Sequence, residues 1–232
     1  MREHLPAIEI DPTSGPATAA VIWLHGLGAD GHDFAPVVPL LDLPHVRFVF
    51  PHAPRIPVTI NNGWVMRAWY DIRSLDRRPD REDPTQIRAS AEKIAALLDR
   101  EIERGIPSAR IVLAGFSQGG AMTLYAGLRH PSQLAGLLAL SAYMLLPEAL
   151  AAEVAPANAA TPICAAHGKF DDIVPLYAGR AALDQIAAVD RQRDPSGARE
   201  MRWHEYPIGH EVSPPELAMV AEWLRDRLPP TA

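Results

Sequence analysis

The chain has 232 residues, 48% hydrophobic and 22% charged, with 28 Asp and Glu against 22 Lys and Arg for a formal charge of −6. That composition suits a globular fold with one large core, expected as a single domain over residues 1–232, and excludes disordered and fibrous classes. The acidic balance offers no basic patch for nucleic acid, and a lone cysteine, Cys164, excludes an internal disulfide framework.

The N-terminal "MREHLPAIEI" lacks the apolar stretch of a signal peptide, so the cytoplasm is the expected compartment. "AAVIWLH" then reads as a strand buried on both faces. It opens into "GLGADGHDF", a glycine-rich loop. "VRFVF" is a second strand. Residues 51–83 break the alternation of strand and helix. A connection of that length is expected to be a lid or binding loop. Its charged part, residues 73 to 83, reads as a solvated surface turn. The aromatic and apolar "NNGWVMRAWY" before it does not.

A helix is predicted from Pro84, with Ile87, Ala91, Ile94, Leu98 and Ile102 on one face and Gly105 and Pro107 as its stop. "RIVLAGF" is the next strand and "GAMTLYAGLRH" the next helix. "LAGLLALS" and "TPICAAH" are further strands, and Cys164 in the latter reads as a buried small hydrophobe. The longest apolar stretch, residues 134 to 146, is too short to span a bilayer, so no integral membrane segment is expected. Helices follow near Pro175 and at Pro214–Pro215, and "REMRWHEYP" between them reads as a strand. Strands alternating with helices predict an α/β fold, a mostly parallel central sheet with helices on both faces.

Ser117 lies where the strand "RIVLAG" turns into a helix, inside Gly115-Phe116-Ser117-Gln118-Gly119. This is the pattern of a nucleophile elbow, in which side chains two positions either side of the serine would collide. Serine needs a base and the base an orienting acid, in the chain order Ser, Asp or Glu, His. Two histidines lie late enough. His204 sits in a predicted strand, whereas His210 sits in the loop "PIGHEVSPP" and is the expected base. Asp171 and Asp172 both follow the strand "TPICAAHG", and spacing alone does not separate them. The expected oxyanion donors are the backbone N–H of Gln118, directly after the serine, and that of Leu27 in the early glycine-rich loop.

Two other readings compete for that loop. "GLGADG" also fits a dinucleotide-binding fingerprint. Pro36 and Pro39 interrupt the helix such a site requires, and "VRFVF" runs into "PHAP" with no acidic residue for a ribose, so no cofactor is expected. His25, Asp30, His32 and Asp33 cluster in sequence without a recognised ligand spacing, so no metal is expected either.

The segments "LHGLGADGHDF", "NNGWVMRAWYDI", "GFSQGGAMTL", "HGKFDDIVP" and "YPIGHEV" resemble, in order, the carboxylesterase/acyl-protein thioesterase family of α/β-hydrolases, also called the phospholipase/carboxylesterase family. The resemblance runs from about residue 21 to 226 and is strongest to small bacterial carboxylesterases. It implies an α/β-hydrolase fold and a cofactor-free serine hydrolase acting on carboxylic esters, with thioesters within reach. It also implies a substrate groove beside the serine, and often a homodimer. Within His-Gly-x-x-Asp it assigns the acid to Asp171 and not Asp172. It matches His210 to the base, and Leu27 and Gln118 to the oxyanion positions. Family members extend to thioesterases and lysophospholipases on long-chain substrates, the alternative expectation here. Trp64 and the charged insert after Asp71 depart from the family pattern. Ile60, Val65, Met66 and Trp69 are candidates either for the apolar groove wall or for loop core. A non-catalytic binding module is disfavoured, because every expected member of the triad is present.

Overall fold

The computed structural model describes residues 4–74, 80–194 and 199–231. A seven-stranded sheet runs through it, in the order β1-β3-β2-β6-β7-β8-β9. The strands are β1 (Ala7–Ile10), β2 (Ala19–Leu24), β3 (Val46–Pro51), β6 (Ile111–Phe116), β7 (Gly136–Leu140), β8 (Ile163–Gly168) and β9 (Met201–Tyr206). All neighbours are parallel except β1, which runs antiparallel to β3 at one edge. The expected α/β architecture is present.

Continuous apolar runs form the inner strands because both faces are covered. Every residue of β2, β7 and β8 is buried. In β2 the alternation sorts side chains into two cores. Ala20, Ile22 and Leu24 join Ile94 and Leu98 on one face. Val21 and Trp23 join Phe48, Val220 and Leu224 on the other. Cys164 is buried, and burial pushes its thiol up to about 12.

The helices are α1 (Val38–Leu41), α2 (Pro84–Glu103), α3 (Gln118–Arg129), α4 (Leu150–Glu153), α5 (Leu176–Arg193) and α6 (Pro214–Arg227). α2 begins where Asp83 accepts from the N–H groups of Thr85 and Gln86, and Gly105 follows it in the left-handed region at φ +95°. α6 begins in a capping box between Ser213 and Glu216.

Three strands and the two four-residue helices, α1 and α4, were not among the expected elements. β1 is a four-residue edge strand, too short to show a pattern. Within residues 51–83 the chain forms a hairpin of β4 (Arg55–Val58) and β5 (Trp64–Arg67). Its turn uses Asn62 at φ +56° and Gly63 at φ +73°. The Asn62-Gly63 pair between apolar runs is a hairpin signal in the sequence, although a proline such as Pro57 is disfavoured inside a strand. The surface-turn expectation for residues 73 to 83 also needs correction. Asp83 caps a helix and Arg81 reaches an interior cavity, while residues 75–79 lie outside the described residues.

Candidate active site

Strand β6 ends at Phe116, and Ser117 makes the turn into α3 at φ +55°, ψ −120°. A non-glycine residue there is strained by about 1–3 kcal/mol and must be held by its surroundings. The Ser117 N–H donates to Leu140 O over 2.8 Å. The flanking glycines are sterically required. A Cβ on Gly115 would stand 2.4 Å from the Gly119 carbonyl carbon, and one on Gly119 would stand 2.3 Å from Leu24 O.

Three loops at one end of the parallel sheet bring Ser117, His210 and Asp171 together. Ser117 Oγ lies 2.9 Å from His210 Nε2, and His210 Nδ1 lies 2.7 Å from Asp171 Oδ2. Asp171 is buried, and its Oδ1 accepts from the N–H groups of Val174 at 2.7 Å and Ile173 at 3.0 Å. Burial opposes its charge, but the hydrogen bonds from His210 and from the Val174 N–H outweigh it and hold the carboxyl below its ordinary value. With Asp171 ionised, His210 donates from Nδ1 and offers the Nε2 lone pair to the serine hydroxyl. Asp172 is exposed. His167 hydrogen-bonds Val174 O over 2.7 Å through Nε2 and so ties down the loop that carries Asp171, while burial lowers its own pKa.

The two expected oxyanion donors border the same cavity. Gln118 is the first residue of α3, where an N–H has no intrahelical acceptor. Leu27 is oriented through its neighbour. His25 Nδ1 lies 2.6 Å from Gly26 O, and His25 Nε2 accepts from the Ala53 N–H over 3.0 Å. Burial lowers the His25 pKa to about 4, so the ring is neutral and Nδ1 carries the proton. With Gly26 O turned toward His25, the trans peptide directs the Leu27 N–H to the opposite side.

The cavity above Ser117 measures about 250 Å³. Ile60 lines it, together with Ile72, Phe116, Ile173 and Val174. Val65 and Met66 lie on the hairpin outside this lining. Val65 is exposed, and Met66 leans against Gly28. Trp69 is corrected from groove wall to loop core. It is 1% exposed, and its indole Nε1–H donates to His25 O over 2.9 Å. The side chain of Gln118 is a clamp that sequence reasoning missed. Its Oε1 accepts from the Trp69 N–H over 2.8 Å and its Nε2 donates to Tyr70 O over 2.7 Å. Arg81 and Tyr143, also missed, complete one wall. Nothing in the local sequence around either residue announces this placement.

A second cavity of about 270 Å³ lies between β1 and α1, lined by Ile10, Pro12, Val38 and Leu43, away from these residues. Asp30, His32 and His52 bring ligand-type atoms within 4.8 Å of one another. His52 Nδ1 accepts from the Gly31 N–H, which leaves the proton on Nε2. His25, in the sequence cluster, is taken up by Gly26 and Ala53. After Gly31 the chain forms a short 3₁₀ turn and a four-residue helix, not the long helix of a dinucleotide site.

A family model described as phospholipase/carboxylesterase matches residues 5–227. The chain is 39% identical to acyl-protein thioesterase 1 of Gibberella zeae, over 94% of each protein. It is 33% identical to acyl-protein thioesterase 1 of Cryptococcus neoformans, over 98% of this chain and 100% of the relative. The crystal structure of Zea mays acyl-protein thioesterase 2 superposes with a TM-score of 0.83 at 28% identity, over 97% of this chain and 100% of that one. Similarity of this extent across nearly the whole chain shows that the protein belongs to the phospholipase/carboxylesterase family and is an ester-cleaving hydrolase of the α/β-hydrolase fold.

Proposed function

We propose that Ser117 is the nucleophile, His210 the general base and then acid, and Asp171 the carboxylate that orients His210. The observation that carries this reading is the unbroken pair of contacts, 2.9 Å from Ser117 Oγ to His210 Nε2 and 2.7 Å from His210 Nδ1 to Asp171 Oδ2. His210 takes the hydroxyl proton as Oγ attacks the ester carbonyl. The developing oxyanion is met by the Leu27 and Gln118 N–H groups. Collapse expels the alcohol or thiol, which leaves with the proton from His210. Water, activated by the same imidazole, then clears the acyl-enzyme.

The apolar cavity wall of Ile60, Ile72, Ile173 and Val174 favours a carboxylic ester with an apolar acyl chain. A second reading is a long-chain acyl thioesterase. It draws on the relatives named acyl-protein thioesterase and on the exposed Trp64, Phe170 and Ile173. Among the described residues no helix is long and apolar enough to cross a membrane. The proposal includes a single domain, since one sheet takes strands from residue 7 to residue 206. The proposal also includes a cytoplasmic location and, from the family resemblance, a homodimer.

The test is hydrolysis of p-nitrophenyl esters from acetate to palmitate, with Ser117→Ala beside the wild type. A serine-dependent maximum at short chains supports the carboxylesterase reading, and one at long chains the thioesterase reading. Turnover that survives Ser117→Ala at every length refutes the proposed nucleophile.

A further inference from the structure

The cavity above Ser117 carries two charged side chains that the proposed chemistry does not use, Asp33 and Arg81. They stand on opposite flanks. Asp33 belongs to the loop after β2, whereas Arg81 lies against Tyr143, which follows β7, and against Val174, which follows β8. In the sheet, β2 and β7 lie on either side of β6, the strand that ends at Ser117. A bound ester therefore has an acidic group on one side of its reacting carbonyl and a cation on the other.

The guanidinium is held in place. Its Cζ sits 4.9 Å from the centre of the Tyr143 ring. The Tyr143 hydroxyl is itself fixed, 2.7 Å from the Tyr70 hydroxyl, and both tyrosines are buried. Arg81 Nε lies 3.1 Å from Glu82 Oε1, an ion pair without hydrogen-bond geometry. Among the described residues, Glu82 and Asp172 are acidic groups beside Arg81. Glu82 does not saturate a guanidinium, whose fork has five donors. Arg47 of the same protein holds Asp11 and Glu101 together. The side chain of Arg81 is only 22% exposed, and its neighbours Ile72, Ile173 and Val174 are apolar, conditions under which a charge contact gains strength. Arg81 also borders an adjoining cavity of about 190 Å³, which shares Tyr143, Ile173 and Val174 with the first. It thus stands at the junction of the two.

We infer that Arg81 is a specificity-determining residue that selects esters bearing a carboxylate a few bonds from the scissile carbonyl, on the flank of β7 and β8. The planar fork of arginine matches a carboxylate in shape as well as charge. The assignment rests on the reading of Ser117 as nucleophile. It adds that the preferred substrate is a hemiester or a similar anionic ester, not a neutral one.

The experiment compares kcat/KM for p-nitrophenyl butyrate and for the mono-p-nitrophenyl ester of glutaric acid, in wild type, Arg81→Gln, Arg81→Glu and Ser117→Ala. Arg81→Gln is expected to lower kcat/KM on the hemiester by about 10- to 100-fold more than on butyrate. Arg81→Glu is expected to lower the hemiester rate further. Raising the salt concentration should weaken the wild-type preference for the hemiester. Equal losses on both substrates, no loss on the hemiester, or a wild type that does not turn the hemiester over would each overturn the assignment. Ser117→Ala must abolish both activities. Surviving activity there refutes the nucleophile and leaves the Arg81 comparison as a separate result.

Discussion

Trp69 and Gln118 are hydrogen-bonded to each other across 49 positions of sequence, the Trp69 N–H to the Gln118 side-chain oxygen at 2.8 Å. The Trp69 indole also reaches His25 O at 2.9 Å. One buried residue thus spans the two loops whose backbone N–H groups form the proposed oxyanion hole. Trp69→Phe keeps the ring bulk and the backbone bond but removes the bond to His25. The expected outcome is a kcat lower by about tenfold with KM little changed, since losing one oxyanion donor outright costs about a hundredfold or more. Steady-state kinetics on a p-nitrophenyl ester, with the unfolding midpoint as control, reads it. An unchanged kcat would show that the bridge does not position the donors.

The neighbouring carboxylates of Asp171 and Asp172 separate cleanly by mutation. Asp171 is buried on His210, and Asp172 is exposed. Asp171→Asn is expected to lower kcat by about 10³- to 10⁴-fold, because an amide holds the wrong imidazole tautomer. Asp172→Asn should leave the rate within about twofold. The reverse ranking would move the acid to Asp172.

Glu216 gives the protein a pH dependence of stability that is separate from catalysis. Burial raises its carboxyl to about 7, against the weaker pull of its hydrogen bond from the Ser213 N–H. The folded state therefore binds a proton more tightly than the unfolded state. Below the unfolded value, near 4.5, its contribution is fully present, and it is lost as pH rises through about 7. Glutamine can fill the same place in the capping box without a charge. Glu216→Gln is expected to be more stable than wild type at pH 8 by roughly 3 kcal/mol, and by less than about 1 kcal/mol at pH 5. Urea unfolding at the two pH values measures this. A difference independent of pH would mean that Glu216 does not titrate in this range.

Gly119→Ala should be costly, although replacing glycine by alanine in a helix is ordinarily favourable. Its Cβ would meet Leu24 O at 2.3 Å and His25 O at 2.6 Å, both backbone atoms that cannot rotate away. Destabilisation of about 3 kcal/mol or more, or failure to accumulate folded protein, is expected. Circular dichroism melting reads it. A gain of up to about 1 kcal/mol, the usual result of a Gly-to-Ala exchange in a helix, or only a small loss, would contradict the close approach of β2 to α3 at this position.

Much of the site was legible because its parts are local. Gly115 to Gly119 announces a strand turning sharply into a helix, and the collisions that exclude a Cβ lie within that turn and its neighbouring strand. Buried parallel strands show as unbroken apolar runs, since both faces need them. The order Ser117, Asp171, His210 follows from the order of the strands that carry them. Spacing could not choose between Asp171 and Asp172, because the choice is made by which carboxylate the loop turns inward onto His210. Only the family resemblance separated them beforehand.

What only the tertiary structure decided are pairings between distant segments. Trp69 looks like a groove residue from its apolar neighbourhood, yet packing puts it beneath the groove, where its indole N–H finds His25 O. Arg81 stands in a charge-dense stretch that reads as solvated, yet the bridge between Ile72 and Glu82 returns the chain to the cavity beside Tyr143. Periodicity and motif report what a residue's own turn or strand requires. They carry no information about which side chain from elsewhere will occupy the space opposite, and that occupancy sets the wall and the charge of this site.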